Sequence, residues 1–345
     1  MAVPASIPSP PSDWQILQVG TWIHSWLPAW PANWTLSIHV YALCILAGII
    51  AAILIANHRL TQRGAERWVI LDIAIWTVAL GIVVARLYHV VTHPGDYFGP
   101  GKNVWNPFEP GSIWAVWEGG NAYYGALLGG ALGAWIGCRF TGLRFTSVVD
   151  AIAPGMLAAQ ALGRLGNWFN HELFGLPTTL PWGLQIERSN AAWPEGLPEG
   201  TLFHPTFLYE IIWNIIGIAV IFAIQKKFDL QWGKVLAIYL IWQGIGRSFF
   251  ESIRVDPSEY YFGIRANVWA AIAAIVLGII IFLVQNRRHT GAEPSVYLPG
   301  REWTPKDDVD SSDTYSDSDD DDDDDETVAD AESDSAATSG AKVAS

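Results

Sequence analysis

Long apolar stretches separated by short polar connections run through the first 288 residues of the chain. The first stretch, residues 36–56, holds about twenty nearly uncharged positions, which is enough to cross a hydrocarbon core of ~30 Å. Seven stretches are predicted to span a membrane, at residues 36–56, 68–91, 121–140, 148–161, 207–225, 235–250 and 267–285. The fourth and sixth are shorter than the others. A soluble domain could not enclose seven such segments, so the pattern predicts an all-α fold, a polytopic membrane bundle of seven transmembrane helices.

Composition supports this fold class and locates the charge. Only 16% of the 345 residues are charged, against about 25% in soluble domains. The net charge of −14 comes from residues 289–345, with 18 acidic and three basic residues, whereas residues 1–288 are almost balanced. Three parts are therefore predicted: an N-terminal arm rich in Trp and Pro (1–35), a transmembrane domain (36–288) and a disordered acidic tail (289–345).

The loops between the predicted spans carry an uneven distribution of basic residues. Three arginines follow the first span, and two basic residues follow each of the third, fifth and seventh. The loop at residues 92–120 has one lysine against three acidic residues. Because basic loops stay on the cytoplasmic side, the N-terminus is predicted outside and the C-terminus in the cytoplasm.

One polar group follows the fourth span. Arg164, Asn167 and Asn170 are spaced three apart, so a helical course would place them on one face. The planar fork of an arginine suits a phosphate, and glycines nearby would allow close approach of a lipid. A re-entrant connection, in which the polar side chains satisfy their own backbone, is an equally good interpretation.

A second polar group lies on the sixth span and its continuation. Arg247, Glu251 and Arg254 stand at i, i+4 and i+7, which an ion-pair ladder would explain. Arg247, however, is expected within the outer half of the bilayer, where a charge is costly. Two arginines from separate segments therefore indicate an anion site at the outer leaflet, and the abundant anion there is a phospholipid headgroup.

Two further charged residues fall inside predicted spans. Arg86 lies near the outer end of the second span, and its side chain could simply snorkel to the interface. Glu210, one turn into the fifth span, is not explained by ordinary helix-start chemistry. The chain has no phosphate-binding glycine loop, dinucleotide fingerprint, zinc helix or basic patch, so we expect no cofactor, no metal and no nucleic-acid partner.

Three segments together resemble the bacterial prolipoprotein diacylglyceryl transferases: GRLGNWFNHELFG (163–175), HPTFLYE (204–210) and the R-x3-E-x2-R arrangement at 247–254. The resemblance extends from about His39 to the seventh span. It implies a seven-helix enzyme of the bacterial inner membrane with its N-terminus outside. It also implies transfer of the diacylglyceryl group of phosphatidylglycerol to the lipobox cysteine of a preprolipoprotein, with a thioether formed and glycerol phosphate released.

The resemblance assigns roles to individual residues. Arg164 and Arg247 match the family arginines implicated in phosphate binding. Residues that match positions important for activity are Tyr41, Asn167, Glu172, Gly175 and Glu251. We add Asn170 and His39 to the residues expected to bind phosphatidylglycerol, and treat Arg86, Glu210 and Arg254 as supporting residues.

The chain departs from the best-known form of the family at two positions. Tyr124 stands where that form has a histidine, and Gln243 where it has a tyrosine. The histidine has been favoured as the general base, so the base is left open. Tyr124 is one candidate, and His39, His171, Glu172, Glu210 or water are the others.

Two other kinds of protein could also hold arginines inside a membrane, a polytopic transporter and a catalytically inactive phospholipid-binding scaffold. A transporter would usually contain internal repeats, and none is convincing in this sequence. Because the predicted chemistry lies outside, we expect truncation after Arg288 to leave transfer activity largely intact.

Overall fold

The computed structural model describes residues 6–27, 37–98, 105–106, 111–116 and 119–303. Nine α-helices occur in these ranges, and the other regular elements are one 3-10 helix (Ser12–Gln15) and short strands. The helices are α1 (Val19–Trp26), α2 (Val40–Gln62), α3 (Val69–Thr92), α4 (Pro94–Tyr97), α5 (Tyr123–Thr141), α6 (Phe145–Phe169), α7 (Thr206–Phe228), α8 (Lys234–Ile253) and α9 (Ala266–Arg288). The predicted all-α class is confirmed.

Seven of these helices have between 19 and 25 residues and correspond to the seven predicted stretches. Five of them, α2, α3, α6, α7 and α9, are long and apolar enough to cross a membrane. The other two are less apolar, because α5 contains five glycines and α8 carries Arg247 and Glu251. The chain is therefore consistent with a polytopic membrane protein.

α6 is longer than its predicted span. The apolar stretch ended at residue 161, but the helix continues to Phe169. The re-entrant alternative is thus wrong for residues 163–169. Hydropathy missed this extension because its side chains include Arg164 and Asn167, which the helix nevertheless accommodates on one face.

Glycines bring α5 and α3 into close contact. A Cβ added to Gly125 would lie 2.8 Å from the Cα of Ala85, and one added to Gly137 would lie 2.9 Å from the Cα of Ile73. Side chains at these positions would force the two backbones apart, so glycines permit this close packing of two helices. α2 and α6 meet in the same way, at Gly155 beside Ala52. α6 also packs against α7 and α8 and therefore positions residues among several helices.

Short strands cover one end of the helices. They are β1 (Ile16–Gln18), β2 (Ser37–His39), β3 (Pro177–Thr178), β4 (Leu184–Gln185), β5 (Leu202–Phe203), β6 (Tyr260–Tyr261) and β7 (Ile264–Arg265). β1 pairs with β2, β6 pairs with β7, and the remaining three form an antiparallel sheet in the order β3-β5-β4. This sheet lies between α6 and α7 in the sequence, over a core that includes Phe174 and Phe203.

The N-terminal arm packs on this sheet. The backbone of Ile7 pairs with the β4 segment, through Gly183 and Gln185. Nε1 of Trp168 donates to the carbonyl of Pro8 at 3.2 Å. The arm therefore covers the end of the molecule where α6 stops and α7 begins. Residues 28–36, with two of the arm's tryptophans (Trp30 and Trp34), lie outside the described part.

The chain after α9 corrects one predicted boundary. Residues 289–303, which we predicted as the start of a disordered tail, pack against the helices: Val296 and Tyr297 are buried, and the Arg144 amide donates to the Val296 carbonyl at 2.7 Å. Burial raises the pKa of the Tyr297 hydroxyl, which accepts a hydrogen bond from the Glu66 amide. The prediction averaged the charge of the whole segment, whereas the acidic run begins only after residue 306. Residues 304–345 lie outside the described part.

Candidate functional site

A hydrogen-bonded chain of side chains starts at the C-terminal end of α6. Nη1 of Arg164 donates to Oδ1 of Asn167 at 3.1 Å, and Nδ2 of Asn167 donates to Oε1 of Glu172 at 2.7 Å. The spacing of three that we noted in the sequence thus places Arg164 and Asn167 together. Glu172 lies just after the helix, where its backbone amide donates to the Asn167 carbonyl. The amide of Asn167 therefore holds the arginine on one side and the carboxylate on the other.

The loop that follows α6 is conformationally restricted. His171 and Leu173 both have positive φ angles, of 53° and 60°, a region that side chains other than glycine rarely adopt. The Leu173 carbonyl accepts a hydrogen bond from the hydroxyl of Thr206, the first residue of α7. Nε2 of His171 donates to the Pro10 carbonyl at 2.6 Å. The buried His171 therefore ties the loop after α6 to the N-terminal arm.

Glu210 has a clear partner in the structure. Its carboxylate, buried on α7, lies 2.6 Å from Nη2 of Arg164. The pair joins α6 to α7 and gives the half-buried arginine a counter-ion. Helix-start chemistry left Glu210 unexplained, and the ion pair supplies its explanation.

The second arginine group is built around a fully buried carboxylate. Oε2 of Glu251 lies 3.2 Å from Nη2 of Arg247 and 3.3 Å from Nη1 of Arg254. Its other oxygen, Oε1, accepts a hydrogen bond from Nδ2 of Asn267 at 2.9 Å and lies 3.7 Å from Nη1 of Arg265. Such a carboxylate holds the surrounding arginines in a fixed orientation.

Arg265 and Asn267 were missed by the sequence reasoning. Arg265 ends β7 and donates to the backbone carbonyls of Glu251 and Arg254. A signal for it did exist, because an arginine in a loop predicted outside is unusual under the positive-inside rule. Asn267, at the start of α9, carried no such signal.

The three sequence motifs meet at Gly175. Its amide donates to the His204 carbonyl at 3.0 Å, and it forms an isolated bridge with Arg254. A Cβ at this position would lie 2.8 Å from Cβ of His204 and 3.0 Å from the Ile253 carbonyl oxygen. Gly175 is therefore required by close packing of the protein itself.

The two arginine groups lie within electrostatic range of each other. Arg164 interacts with Arg247 and Arg254, as well as with Tyr41 of α2. Tyr41 also interacts with Glu172 and packs against Gly166, where a Cβ would lie 3.2 Å from the tyrosine Cα. The convergence of α2, α6, α7 and α8 thus brings both arginine groups, with their carboxylate partners, to one end of the helices.

The remaining predicted residues lie at the edge of this cluster. Tyr124, at the start of α5, is 40% exposed and interacts electrostatically with Arg247 and Glu251. Asn170 caps the C-terminus of α6. The His39 backbone pairs with Ile16; among the described residues its exposed side chain has no contact with the cluster. His39 is thus not brought into the site in this structure.

Arg86 has a different environment from the other arginines. It is only 6% exposed and donates to the carbonyls of Ile113, Ser112, Gly119 and Gly120 at 2.5–3.1 Å. Snorkelling, the alternative that we left open, is therefore wrong. The side chain secures the connection between α3 and α5.

Within the described ranges, no three His, Cys, Asp or Glu side chains are grouped in a way that could hold a metal ion. The chemistry available at the cluster is that of arginines, carboxylates, amides and phenols. Such a set can bind an anion and stabilise negative charge that develops on a leaving group.

Comparison with known proteins supports the family predicted from the three motifs. Residues 30–284 match the family model described as prolipoprotein diacylglyceryl transferase. A phosphatidylglycerol–prolipoprotein diacylglyceryl transferase of Leifsonia xyli subsp. xyli is 61% identical over 312 residues, 90% of each chain. An enzyme with the same name from Bifidobacterium adolescentis is 43% identical over 258 residues, which are 72% of this chain and 75% of the relative. Phosphatidylglycerol–prolipoprotein diacylglyceryl transferase 2 of Streptomyces coelicolor is 42% identical over 263 residues, which are 76% of this chain and 80% of the relative. The chain belongs to the prolipoprotein diacylglyceryl transferase family.

Proposed function

We propose that this protein transfers the diacylglyceryl group of phosphatidylglycerol to the lipobox cysteine thiol of a preprolipoprotein. The names of the relatives supply the two substrates, phosphatidylglycerol and a prolipoprotein. The observation that carries the proposal is the pair of arginines on separate helices, Arg164 and Arg247, each held by one carboxylate. Arginines held in this way keep further N–H groups available for a phosphate.

The reaction requires one bond to form and one to break. The cysteine sulfur attacks the glyceryl carbon, a C–S bond forms, and the C–O bond to the phosphate breaks with its electron pair on the leaving oxygen. The departing glycerol phosphate carries one more negative charge than the diester did. Arg164 and Arg247 stabilise that charge, and Glu210 and Glu251 keep the two guanidinium groups in position.

Asn167, Glu172 and Gly175 maintain the geometry around Arg164. Asn167 bonds both Arg164 and Glu172, and Gly175 permits the close contact between the three motifs. We assign Asn170 and Tyr41 to the region that receives the glycerol headgroup, because they lie at this end of α6 and α2; His39, which the structure does not bring into the site, is left out of this assignment.

The thiol must lose its proton before or during the attack, since the thiolate is the nucleophile. Glu210 and Glu251 are committed to arginines, and Glu172 accepts from Asn167. We propose that Tyr124 accepts a hydrogen bond from the thiol, and that the positive charge of Arg247 nearby favours the thiolate.

The proposed membrane arrangement has seven spans, with the N-terminus outside, in the bacterial inner membrane. Its support is the distribution of basic residues, which lie in or just after the last turns of α2, α5, α7 and α9. The arm and the arginine cluster then lie at the outer leaflet, and the acidic tail lies in the cytoplasm. Phosphatidylglycerol enters sideways between helices, and the preprolipoprotein signal peptide presents its cysteine at the same leaflet.

The direct test incubates the purified protein with phosphatidylglycerol and a lipobox peptide. Mass spectrometry should detect a diacylglyceryl thioether on the peptide, and a peptide with serine in place of cysteine should stay unmodified. A transporter or an inactive lipid-binding scaffold would leave both peptides unchanged, and that result would contradict the proposal.

A further inference from the structure

A cleft lies between α2 and α7 at the ends of these helices, with Ala151 of α6 among its lining residues. Its volume is about 660 Å³. The lining changes along the helix axes, because Leu54 and Phe222 are apolar and exposed, whereas Arg59 and Lys226 follow about one turn later. The cleft thus combines an apolar wall with a basic end.

This cleft is separate from the arginine cluster. Tyr41 lies at the end of α2 that is next to the arginine cluster, and Arg59 follows eighteen residues later in the same helix. At a rise of 1.5 Å per residue the two positions are ~27 Å apart. A ligand in the cleft therefore cannot take part in the proposed transfer.

Arg59 is held in place but is not fully hydrogen-bonded. Its Nη2 donates to Oε1 of Gln225 at 2.8 Å and to the carbonyl of Asp150 at 3.1 Å. The guanidinium group lies over the ring of Phe222, 5.4 Å from its centre. The buried Nε has no hydrogen-bond partner among the described residues. A buried donor without an acceptor is unfavourable, so an additional acceptor at this guanidinium group would be stabilising.

The charges around the cleft leave a positive surplus. Arg63 is paired with Glu293, and the carboxylate of Asp150 accepts hydrogen bonds from the amides of Gly233 and Leu236. Neither Arg59 nor Lys226 forms an ion pair within the part of the chain that the structure describes. Two cations are therefore available beside an apolar wall.

We propose that the cleft binds the phosphate of an anionic glycerophospholipid from the leaflet opposite to the arginine cluster. The phosphate contacts Arg59 and Lys226, and an acyl chain runs along Leu54 and Phe222. Basic pockets between membrane helices recognise headgroups in this way. The inference rests on the proposed membrane arrangement, but it concerns a second lipid that is not consumed.

The test uses the purified full-length protein, phosphatidylglycerol with a photoactivatable acyl chain, and peptide mapping by mass spectrometry. Label is expected on residues 54–62 and 222–226. Lys226→Gln should lower that label about fivefold, the effect of losing ~1 kcal/mol of attraction at one basic residue. The matched control is Lys227→Gln, which alters an exposed lysine that does not line the cleft; its label should be unchanged.

Further arms separate the possible outcomes. Label near Arg164 serves as an internal reference and should not change in Lys226→Gln, nor should transfer to a lipobox peptide. Equal labelling by a phosphatidylcholine probe would overturn the anionic preference, and displacement by millimolar inorganic phosphate would identify a free anion as the ligand. Failure of transfer with intact cleft labelling would contradict only the proposed function.

Discussion

Arg86 and Arg164 both lie in helices that are apolar enough to cross a membrane, but their hydrogen bonds go to different acceptors. Arg86 is surrounded by four backbone carbonyls of one connection. Arg164, like Arg247, is held mainly by a carboxylate on a neighbouring turn or helix. An arginine surrounded by fixed carbonyls stabilises a loop, whereas one held by a single carboxylate can still bind a phosphate. The comparison separates a structural arginine from two that are available for chemistry.

The largest effect on stability is expected at the structural arginine. Arg86→Ala should lower the free energy of unfolding by about 4 kcal/mol, because four carbonyls lose their donor at roughly 1 kcal/mol or more each. Thermal unfolding in detergent measures the loss. Transfer per folded molecule should stay near the wild-type rate, and a folded Arg86→Ala protein without activity would remove the distinction between the two kinds of arginine.

A carboxylate at the end of the helices opposite to the arginine cluster also contributes to stability. Glu293 pairs with Arg63 and also accepts from Thr146, Ser147 and the Trp232 amide. Truncation after Arg288 removes this carboxylate together with two buried side chains, and should destabilise the protein by about 3 kcal/mol. Truncation after Trp303 is the control and should leave both stability and transfer unchanged; equal stability of the two truncations would contradict the packing of residues 289–303.

Glu210→Gln removes the ion pair that positions Arg164 and so tests whether this arginine acts in the reaction. The neutral amide keeps the shape of the side chain but removes the counter-ion, so we expect a roughly thirtyfold loss of kcat, about 2 kcal/mol. Steady-state kinetics with a lipobox peptide measures it. Glu195→Gln, an exposed substitution in the loop between α6 and α7, is the control. If Glu210→Gln has the wild-type kcat, the ion pair has no part in the reaction.

The smallest effect is expected at Tyr124. Tyr124→Phe removes the hydroxyl near Arg247 and should lower the single-turnover rate about tenfold, below the 10²–10⁴ of a full general base, because solvent can also take the proton. Binding of phosphatidylglycerol should not change. Tyr123→Phe, at the neighbouring exposed residue, is the control, and an unchanged rate in Tyr124→Phe would assign the proton transfer elsewhere.

The sequence was sufficient to predict the seven long helices, apart from the end of α6, and the first members of the site. Spacing alone placed Arg164 with Asn167 and Arg247 with Glu251, because neighbours on one helix face are fixed by the helical repeat. The pair between Arg164 and Glu210 could not be predicted from residue spacing, since it depends on how α6 packs against α7. The same limit applies to Arg265 and Asn267, which reach Glu251 only through the turn before α9.

Two predicted boundaries were wrong, the end of the fourth span and the start of the disordered tail, because each was inferred from composition alone. The low hydropathy after residue 161 ended the fourth predicted span, although the polar residues there continue the helix on a face that other helices cover. The acidic composition after residue 306 was applied to residues 289–303 as well, although Val296 and Tyr297 are apolar enough to be buried.

The most direct test of the central claim compares lysine substitutions at the three arginines, with transfer to a lipobox peptide measured per folded molecule. A lysine keeps the charge but loses the planar fork. Arg164→Lys and Arg247→Lys should each lower kcat by about 10²-fold with little change in unfolding temperature. Arg86→Lys should unfold at a lower temperature and transfer at the wild-type rate within about threefold. Wild-type rates in Arg164→Lys and Arg247→Lys, with a slow Arg86→Lys, would contradict the account.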